Sequence, residues 1–206
     1  GMPVFNAAHL EQLRRHCSLP YQLCSFTEPP TGAEALANPR LLPNDAAGDI
    51  RLWREPAADA KQRYRYVVAV EVGGLSDKAD FSVITVIDRL AAKGKMEIVA
   101  EWRGHIYHDR LAWLAAQMAK YYCNALLVIE SNTLEMEYSE GDGTQYVLNT
   151  LRHHYRNIYR RRGDRLGFHT NRETKTEAVF HLIGLVRDGA YIEHNDGAVN
   201  ELAWYE

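Results

Sequence analysis

The sequence predicts an α/β fold built on a mixed sheet, and three observations support this prediction. Three β-branched runs follow one another after residue 64, separated only by short turn sequences. Helical and strand patterns then alternate to residue 206. An antiparallel meander followed by this alternation requires a mixed sheet with helices on both faces. The composition, 46% apolar and 25% charged, is that of an ordinary globular domain.

The first 60 residues differ in composition from the rest. All seven prolines lie there. Because proline lacks an amide donor and resists the interior of helices and strands, we expect a mostly extended linker with one short helix. That helix is predicted over residues 7–16, capped by Asn6. The chain therefore divides into a proline-rich N-terminal extension, residues 1–60, and a main domain, residues 61–206.

The main domain begins with the strand patterns YRYVVAVEV, FSVITVID and KMEIVAEWRGHI, joined by GGLSDKAD and by a turn containing AAKG. A helix is predicted over 109–122, and ALLVIE reads as a short central strand covered on both faces. A second helix over 144–156, a strand at LGFHT, a third helix over 172–187 and a strand at AYIEH follow, and the last residues begin another helix. This order of elements is that of the ribonuclease H fold.

Two carboxylates are predicted to meet at one edge of this sheet. Glu71 lies late in the first strand of the main domain, and Glu130 ends the strand predicted to run parallel beside it. The carboxyl ends of neighbouring parallel strands coincide, and ligands bind there in open sheets. Asp80 opens the second strand and reaches the same edge. Like charges this close raise each other's pKa unless a cation bridges them.

A set of three oxygen donors favours Mg²⁺ or Mn²⁺ over zinc. Two such ions, about 3.5 to 4 Å apart, suit in-line displacement at phosphorus. Each carboxylate also has an ordinary structural explanation. Glu71 would pair with Arg65 or Lys78, Glu130 would lie in the turn that follows its strand, and Asp80 would cap a turn. The placement of all three on adjacent strand ends favours the metal site.

The cysteines Cys17, Cys24 and Cys123 are odd in number and scattered. They favour a reducing cytoplasm over a disulfide framework. His16 lies beside Cys17, but no second ligand pair with zinc-site spacing follows. The sequence holds no run of 18 apolar residues and does not start like a secretion signal, so no membrane association is expected.

A basic stretch stands out against the formal net charge of −3. Between residues 152 and 165 one acid, Asp164, faces six arginines: Arg152, Arg156, Arg160, Arg161, Arg162 and Arg165. Such a stripe can follow a phosphate backbone. It is equally consistent with a solvated helix end whose arginines complement the dipole. The stretch alone leaves both interpretations open.

Several of these motifs, in order, resemble the C-terminal nuclease domain of the large terminase subunit of tailed phages. They are GDIRLWREP, YVVAVEVGG, ADFSVITVIDR, EIVAEWRGHI, ALLVIESN and LGFHTNRETK, and they cover roughly residues 48–206. The resemblance implies a ribonuclease H-like, metal-dependent endonuclease that cuts concatemeric double-stranded viral DNA during packaging. It also implies Mg²⁺ or Mn²⁺ as cofactor. The implied partners are the terminase ATPase domain, the small terminase subunit and the portal protein, in the host cytoplasm.

Carried over to this sequence, the resemblance places Glu71 and Glu130 at the two catalytic positions, with Asp80 as an accessory metal ligand. It also favours phosphate contact by Lys175, in the first turn of the third helix. Family members usually carry aspartate where Glu71 stands. The side chain here is one methylene longer, a departure that would shift a bound metal or weaken the site. Their third carboxylate, in a His-Asp pair on a later helix, is not visible, and we expect it downstream of residue 206. Three acids near the end are possible substitutes: Glu193, Asp196 and Glu201.

Two other functions compete with this one. Actin-like sugar kinases also begin with a strand, an acid and a glycine pair, but their fold needs two such domains. The chain also lacks a G-x-x-x-x-G-K-[ST] motif, so no ATPase activity is expected of it. The stronger rival is a catalytically impaired module that docks and guides DNA in the packaging motor.

Overall fold

A computed structural model of the chain describes residues 2–43, 46–58, 64–91, 94–132 and 143–206. The helices are α1 Ala7–Arg14, α2 Ala33–Ala37, α3 His108–Tyr121, α4 Gly143–Arg152, α5 Arg172–Arg187 and α6 Asp196–Ala203. The strands are β1 Gln22–Phe26, β2 Leu41–Leu42, β3 Ile50–Leu52, β4 Tyr66–Glu71, β5 Ser82–Asp88, β6 Met96–Gly104, β7 Leu126–Ile129 and β8 Tyr191–Ile192. No helix in these ranges has the length and apolar character needed to cross a bilayer.

The strands form one mixed sheet in the order β2-β1-β3-β6-β5-β4-β7, with β8 parallel to the start of β6. The meander β4-β5-β6 is antiparallel, and β7 runs parallel to β4. The predicted α/β class and the predicted mixed sheet are therefore confirmed. The helix predicted over 109–122 is α3, which is shifted by one residue at each end.

Beyond β7 the chain is less regular than predicted. The expected strand LGFHT makes isolated bridges, with Phe168 beside Glu130 and Leu166 beside Arg160. Helix α4 ends at Arg152, four residues before the predicted boundary. The chain turns there because Tyr155 is buried, with its hydroxyl donating to the carbonyl of Ala125. It then runs along the edge of β7, where the amide of Tyr159 donates to the carbonyl of Leu127 at 2.8 Å.

The N-terminal extension contributes more regular structure than a linker. Asn6 caps α1 as predicted, accepting from the amides of Ala8 and His9. Strands β1, β2 and β3 then extend the sheet, and β3 pairs antiparallel with β6. These short strands are compatible with the prolines because each proline in this part lies in a flanking connection: Pro20, Pro29, Pro30, Pro39, Pro43 and Pro56. The division into two domains at residue 60 stays a prediction.

One face of the central sheet packs against α3. On β4 the residues Tyr66, Val68 and Val70 point to that face and are buried. The alternate residues Ala69 and Glu71 point to the opposite face, which is more open. The strand alternation therefore directs Glu71 away from the main hydrophobic core.

The glycine pair after β4 is required by a close approach of backbone. A Cβ atom on Gly73 would lie 2.2 Å from the carbonyl oxygen of Asp80, and one on Gly74 would lie 2.4 Å from the Cβ of Ala79. The amide of Gly73 donates to the buried hydroxyl of Ser82 at 2.9 Å. The amide of Gly74 donates to the carbonyl of Asp80 at 3.1 Å. The pair thus closes the β4–β5 hairpin and fixes Asp80 opposite the end of β4.

We predict that Gly73→Ala destabilises the protein by about 1–3 kcal/mol, because the added methyl group overlaps backbone atoms that cannot move aside cheaply. Chemical denaturation measures this loss. Gly184→Ala is the matched control, since Gly184 lies inside α5 and its Cβ would meet only the Arg187 side chain, at 3.9 Å. The control should gain about 0.5–1 kcal/mol from helix propensity. Equal stability of the Gly73 variant and the wild type would contradict the close approach.

Candidate functional site

The register of β4 and β7 sets Glu71 and Glu130 side by side. Val70 pairs with Ile129 in the parallel ladder, and the two glutamates are the next residues on their strands. The amide of Glu130 donates to the carbonyl of Val70 at 3.0 Å, so the pairing continues to this position. Both glutamates line a cavity of about 500 Å³ on the open face, together with Phe168, Thr170 and Lys175.

A second cavity of about 580 Å³ lies on the β5–β6 side of Glu71. Its acidic lining residues are Glu71, Asp80, Glu101, Glu193 and Glu201. Glu71, Val83 and Thr85 line both cavities. Glu71 therefore stands where the two cavities meet, with Glu130 on one side and Asp80 on the other.

The surroundings of Glu71 oppose its ionisation. Partial burial raises the pKa of its carboxyl, and the charges of Glu130, Glu201 and Asp80 raise it further. Lys175 acts in the opposite direction and lowers the pKa of Glu71. The charges of three neighbouring acids therefore outweigh that of Lys175 in their effect on Glu71.

The proposed pairing of Glu71 with Arg65 does not fit the structure. The two residues are six positions apart on an extended chain, a separation of roughly 20 Å. Arg65 instead binds Asp88 through Nε at 3.1 Å and Nη2 at 3.0 Å. The end of β4 that carries Glu71 thus lies far from the Arg65–Asp88 pair.

The three acids named as substitutes for a missing carboxylate occupy different environments. Asp196 pairs with Arg14 at the start of α6. Glu193 is 2% exposed and accepts hydrogen bonds from the Tyr191 hydroxyl and the amide of Asn195. Glu201 is open to solvent, and its charge acts on Glu71. Glu193 and Glu201 both line the cavity that holds Glu71, and the charge of Glu201 raises the pKa of Glu71.

Asn195 fixes the helix that carries Glu201. Its Oδ1 caps α6 by accepting from the amide of Gly197 at 3.0 Å. Its Nδ2 donates to Glu101 on β6 at 2.9 Å. Glu101 is 6% exposed, and burial raises the pKa of its carboxyl. The start of α6 is thereby joined directly to the central sheet.

The carboxylates in the described part of the chain do not form a complete metal cage. Among the side chains that the structure describes, no group of three or more His, Cys, Asp or Glu residues is arranged to hold a metal ion. The acids around Glu71 are carboxylates, the type of ligand that Mg²⁺ and Mn²⁺ prefer. These oxygen donors suit such an ion chemically. The roles of Glu71, Asp80 and Glu130 as metal ligands stay a prediction.

The predicted DNA-binding residues separate into two groups. Lys175, placed by the first turn of α5, lines the cavity that holds Glu71 and Glu130. Asn171 and Thr174 form the capping box that starts this helix, and the Lys175 ammonium lies 5.7 Å from the centre of the Tyr205 ring. The arginines lie elsewhere, and none of them lines either cavity: Arg152, Arg156, Arg160, Arg161 and Arg162. Their contact with DNA stays a prediction.

Comparison with solved structures identifies the architecture. A crystal structure of the large terminase nuclease from thermophilic phage G20c with bound magnesium has a TM-score of 0.60 and 16% identity to this chain. The match covers 98% of this chain and 79% of that one. The chain has the fold of a large terminase nuclease. The fold-level resemblance inferred from the sequence motifs is therefore confirmed.

A second structure of the same phage nuclease has a TM-score of 0.49 and 15% identity, covering 84% of this chain and 78% of that one. No family model matches the sequence. No curated protein matches it either. At 16% identity the terminase nuclease similarity establishes the fold, and the chemistry has to be argued from the residues of this chain.

We predict that Glu71→Gln stabilises the metal-free protein at neutral pH. The folded-state pKa of Glu71 is raised, so the ionised carboxylate costs folding free energy above that pKa. As the pH falls from the folded-state pKa through the ordinary value near 4, the carboxyl becomes neutral in both states and this cost disappears. The stability gain of the variant should therefore vanish at acid pH.

Urea denaturation at neutral and acid pH, without divalent ions, measures this difference. Glu177→Gln serves as the control because Glu177 is an exposed glutamate of α5 that lines neither cavity. The control should show no comparable pH-dependent gain. A Glu71→Gln variant less stable than the wild type at neutral pH would show that the carboxylate is favourably compensated in the free protein.

Proposed function

We propose that the chain is the metal-dependent endonuclease domain of a phage DNA-packaging terminase large subunit. Its substrate would be concatemeric double-stranded viral DNA, cleaved by two-metal phosphodiester hydrolysis. The observation that carries the proposal is the placement of Glu71 and Glu130 at adjacent ends of parallel strands. The terminase nuclease fold, shared with a structure determined with bound magnesium, supports it.

Glu71, Asp80 and Glu130 would hold Mg²⁺ or Mn²⁺, and Glu201 is the nearby acid available to complete the set. Mutual repulsion around Glu71 supports this assignment, because a bound cation removes the cost of assembling these charges. The ions, when bound, supply an activated water and stabilise the leaving 3′ oxygen. Hairpin closure at Gly73 and Gly74 and the β4–β7 ladder hold three of these carboxylates on rigid elements.

DNA would be bound mainly through its phosphates. Lys175 stands beside Glu71 and Glu130, where its charge meets a phosphate close to the carboxylates. The arginines from Arg152 to Arg162 would add contacts outside the two cavities. Binding of this kind is independent of sequence and weakens with salt. The ATPase domain, the small terminase subunit and the portal protein are proposed partners in the host cytoplasm.

A docking and DNA-guiding module is the second candidate function. The absence of a three-ligand group among the described side chains favours it. Glu71 in place of the usual aspartate points the same way, since the longer side chain shifts the position of any bound ion. In this reading the open face binds DNA without cutting it.

Plasmid nicking with Mn²⁺ separates the two functions. We expect the wild type to nick supercoiled DNA and Glu130→Gln to be slower by about 100-fold or more, because losing a metal-ligand charge removes several kcal/mol of transition-state stabilisation. Glu177→Gln should cut normally. Mn²⁺ should also raise the melting temperature of the wild type more than that of Glu130→Gln, since a ligand that binds the folded state stabilises it.

Nicking that persists in Glu130→Gln would remove this glutamate from the site. A wild type that binds DNA, does not nick it and gains no stability from Mn²⁺ would support the guiding module.

A further inference from the structure

Arg103 lies on the same open face as Glu71. The antiparallel register pairs Glu71 with Val83, and Val83 with Arg103 on β6. Residues directly opposite each other in a sheet point to the same side. Two strand spacings separate Arg103 from Glu71, a distance of about 10 Å between backbones. Arg103 lines the same cavity as Glu71, Asp80 and Glu201.

The guanidinium of Arg103 is held in a defined orientation. Its Cζ atom lies 4.4 Å from the centre of the Phe81 ring. That ring stacks in turn on His105, with centroids 4.4 Å apart and an interplanar angle of 26°. A ring nitrogen of His105 contacts the carbonyl of Gly74 at 3.1 Å. The β4–β5 hairpin therefore supports the Phe81 and His105 rings, and Arg103 rests on the Phe81 ring. Because the guanidinium is already oriented, ligand binding would cost less side-chain conformational entropy.

The ion pair that Arg103 makes in the free protein is weak. Its Nη2 lies 3.5 Å from Oε1 of Glu201, and the two side chains are 43% and 70% exposed. Strong pairs between arginine and carboxylate are shorter, at about 2.7–2.9 Å. Exposed pairs of this kind contribute little and exchange readily with competing ligands. Arg103 is therefore available to a stronger anionic partner.

Lys175 and Arg103 flank the carboxylates from opposite sides. Lys175 lines the cavity on the β7 side, and Arg103 lines the cavity on the β6 side. The strands between them, β4 and β5, carry Glu71 and the backbone of the hairpin. From β7 to β6 the sheet spans about 14 Å, and each DNA strand carries one phosphate per ~3.4 Å of helix axis. Several phosphates of one strand fit across this distance.

We propose that Arg103 binds a phosphate of the DNA strand that crosses the carboxylate site, and that Phe81 is its positioning residue. The proposal rests on the proposed function in taking DNA as the substrate. A guanidinium recognises phosphate with two parallel hydrogen bonds, which Glu201 at 3.5 Å does not match. Phosphate binding would release Glu201, leaving its carboxylate beside Glu71. The DNA strand would then cross Glu71 and Glu130, with Lys175 on one side of these acids and Arg103 on the other.

Salt-dependent binding of a labelled DNA duplex tests this contact. The assay contains Ca²⁺ because carboxylate oxygens bind this ion as well as Mg²⁺ and Mn²⁺. Each phosphate contact contributes about 0.9 to the slope of log K against log salt. Arg103→Gln should lower the slope by about 0.9, and Arg103→Lys should restore it. Arg187→Ala is the control, since Arg187 forms an exposed pair with Asp188 and lines neither cavity. An unchanged slope in Arg103→Gln overturns the proposal.

Arg103 could instead have a purely structural role, in which it only neutralises Glu201. Repeating the Arg103→Gln measurement in a Glu201→Gln protein distinguishes this role from phosphate binding. If Arg103 binds phosphate, Arg103→Gln lowers the slope equally in that background. If Arg103 acts only on Glu201, Arg103→Gln has no effect there, which also overturns the proposal. Melting curves verify that each variant is folded.

Phe81→Leu tests the positioning role. It keeps an apolar side chain but removes the ring face, so the slope should stay unchanged while nicking slows by about tenfold through lost orientation. Unchanged nicking would remove Phe81 from the proposal.

The two proposals fail differently. If the wild type shows no Mn²⁺-dependent nicking, the proposed nuclease function is wrong, and the salt slopes still test phosphate binding by Arg103. If nicking is normal and the Arg103→Gln slope is unchanged, only the proposed phosphate contact is wrong.

Discussion

The parallel ladder between β4 and β7 is the constraint on which the rest of the site depends. Its register brings Glu71 and Glu130 to neighbouring positions, and strand alternation turns both away from the core packed against α3. A shift of one residue in either strand would send one of these carboxylates into the hydrophobic layer. The apolar residues of β4 and β7 that fill that layer therefore determine where the charges stand. Packing, rather than any attraction between the acids, assembles the site.

Much of this arrangement was readable from the sequence. Alternating apolar residues identified the meander, helical spacing identified α3 and a wholly apolar run identified β7. The prediction that β7 is a central strand was wrong, because β7 ends the strand order that the structure describes. The placement of Glu71 and Glu130 followed from their positions at the ends of two strands predicted to be parallel neighbours. Helix ends were harder, because α4 stops where the buried Tyr155 and the edge of β7 draw the chain aside. That event depends on a tertiary contact and leaves no local signal.

Other features were missed for a similar reason. The prolines of the extension indicate where strands stop, but they do not reveal that β3 pairs with β6 and that β1 and β2 extend the sheet beyond it. Glu201 and Arg103 meet only through the fold, one from α6 and one from β6. The alternation of β6 does place Arg103 on the Glu71 face. The position of Arg103 on this face could therefore be predicted once the register was known. The position of Glu201 required the structure, because α6 returns to the sheet through contacts between residues distant in sequence.

The attachment of α6 through Asn195 determines where Glu201 lies relative to the sheet. Asn195 binds a glutamate of the central sheet with its side chain while it starts the helix. The first turn of the helix is therefore tied to β6 of the same sheet that carries Glu71. The backbone position from which the Glu201 side chain extends is thus set by the sheet, although its carboxylate is 70% exposed.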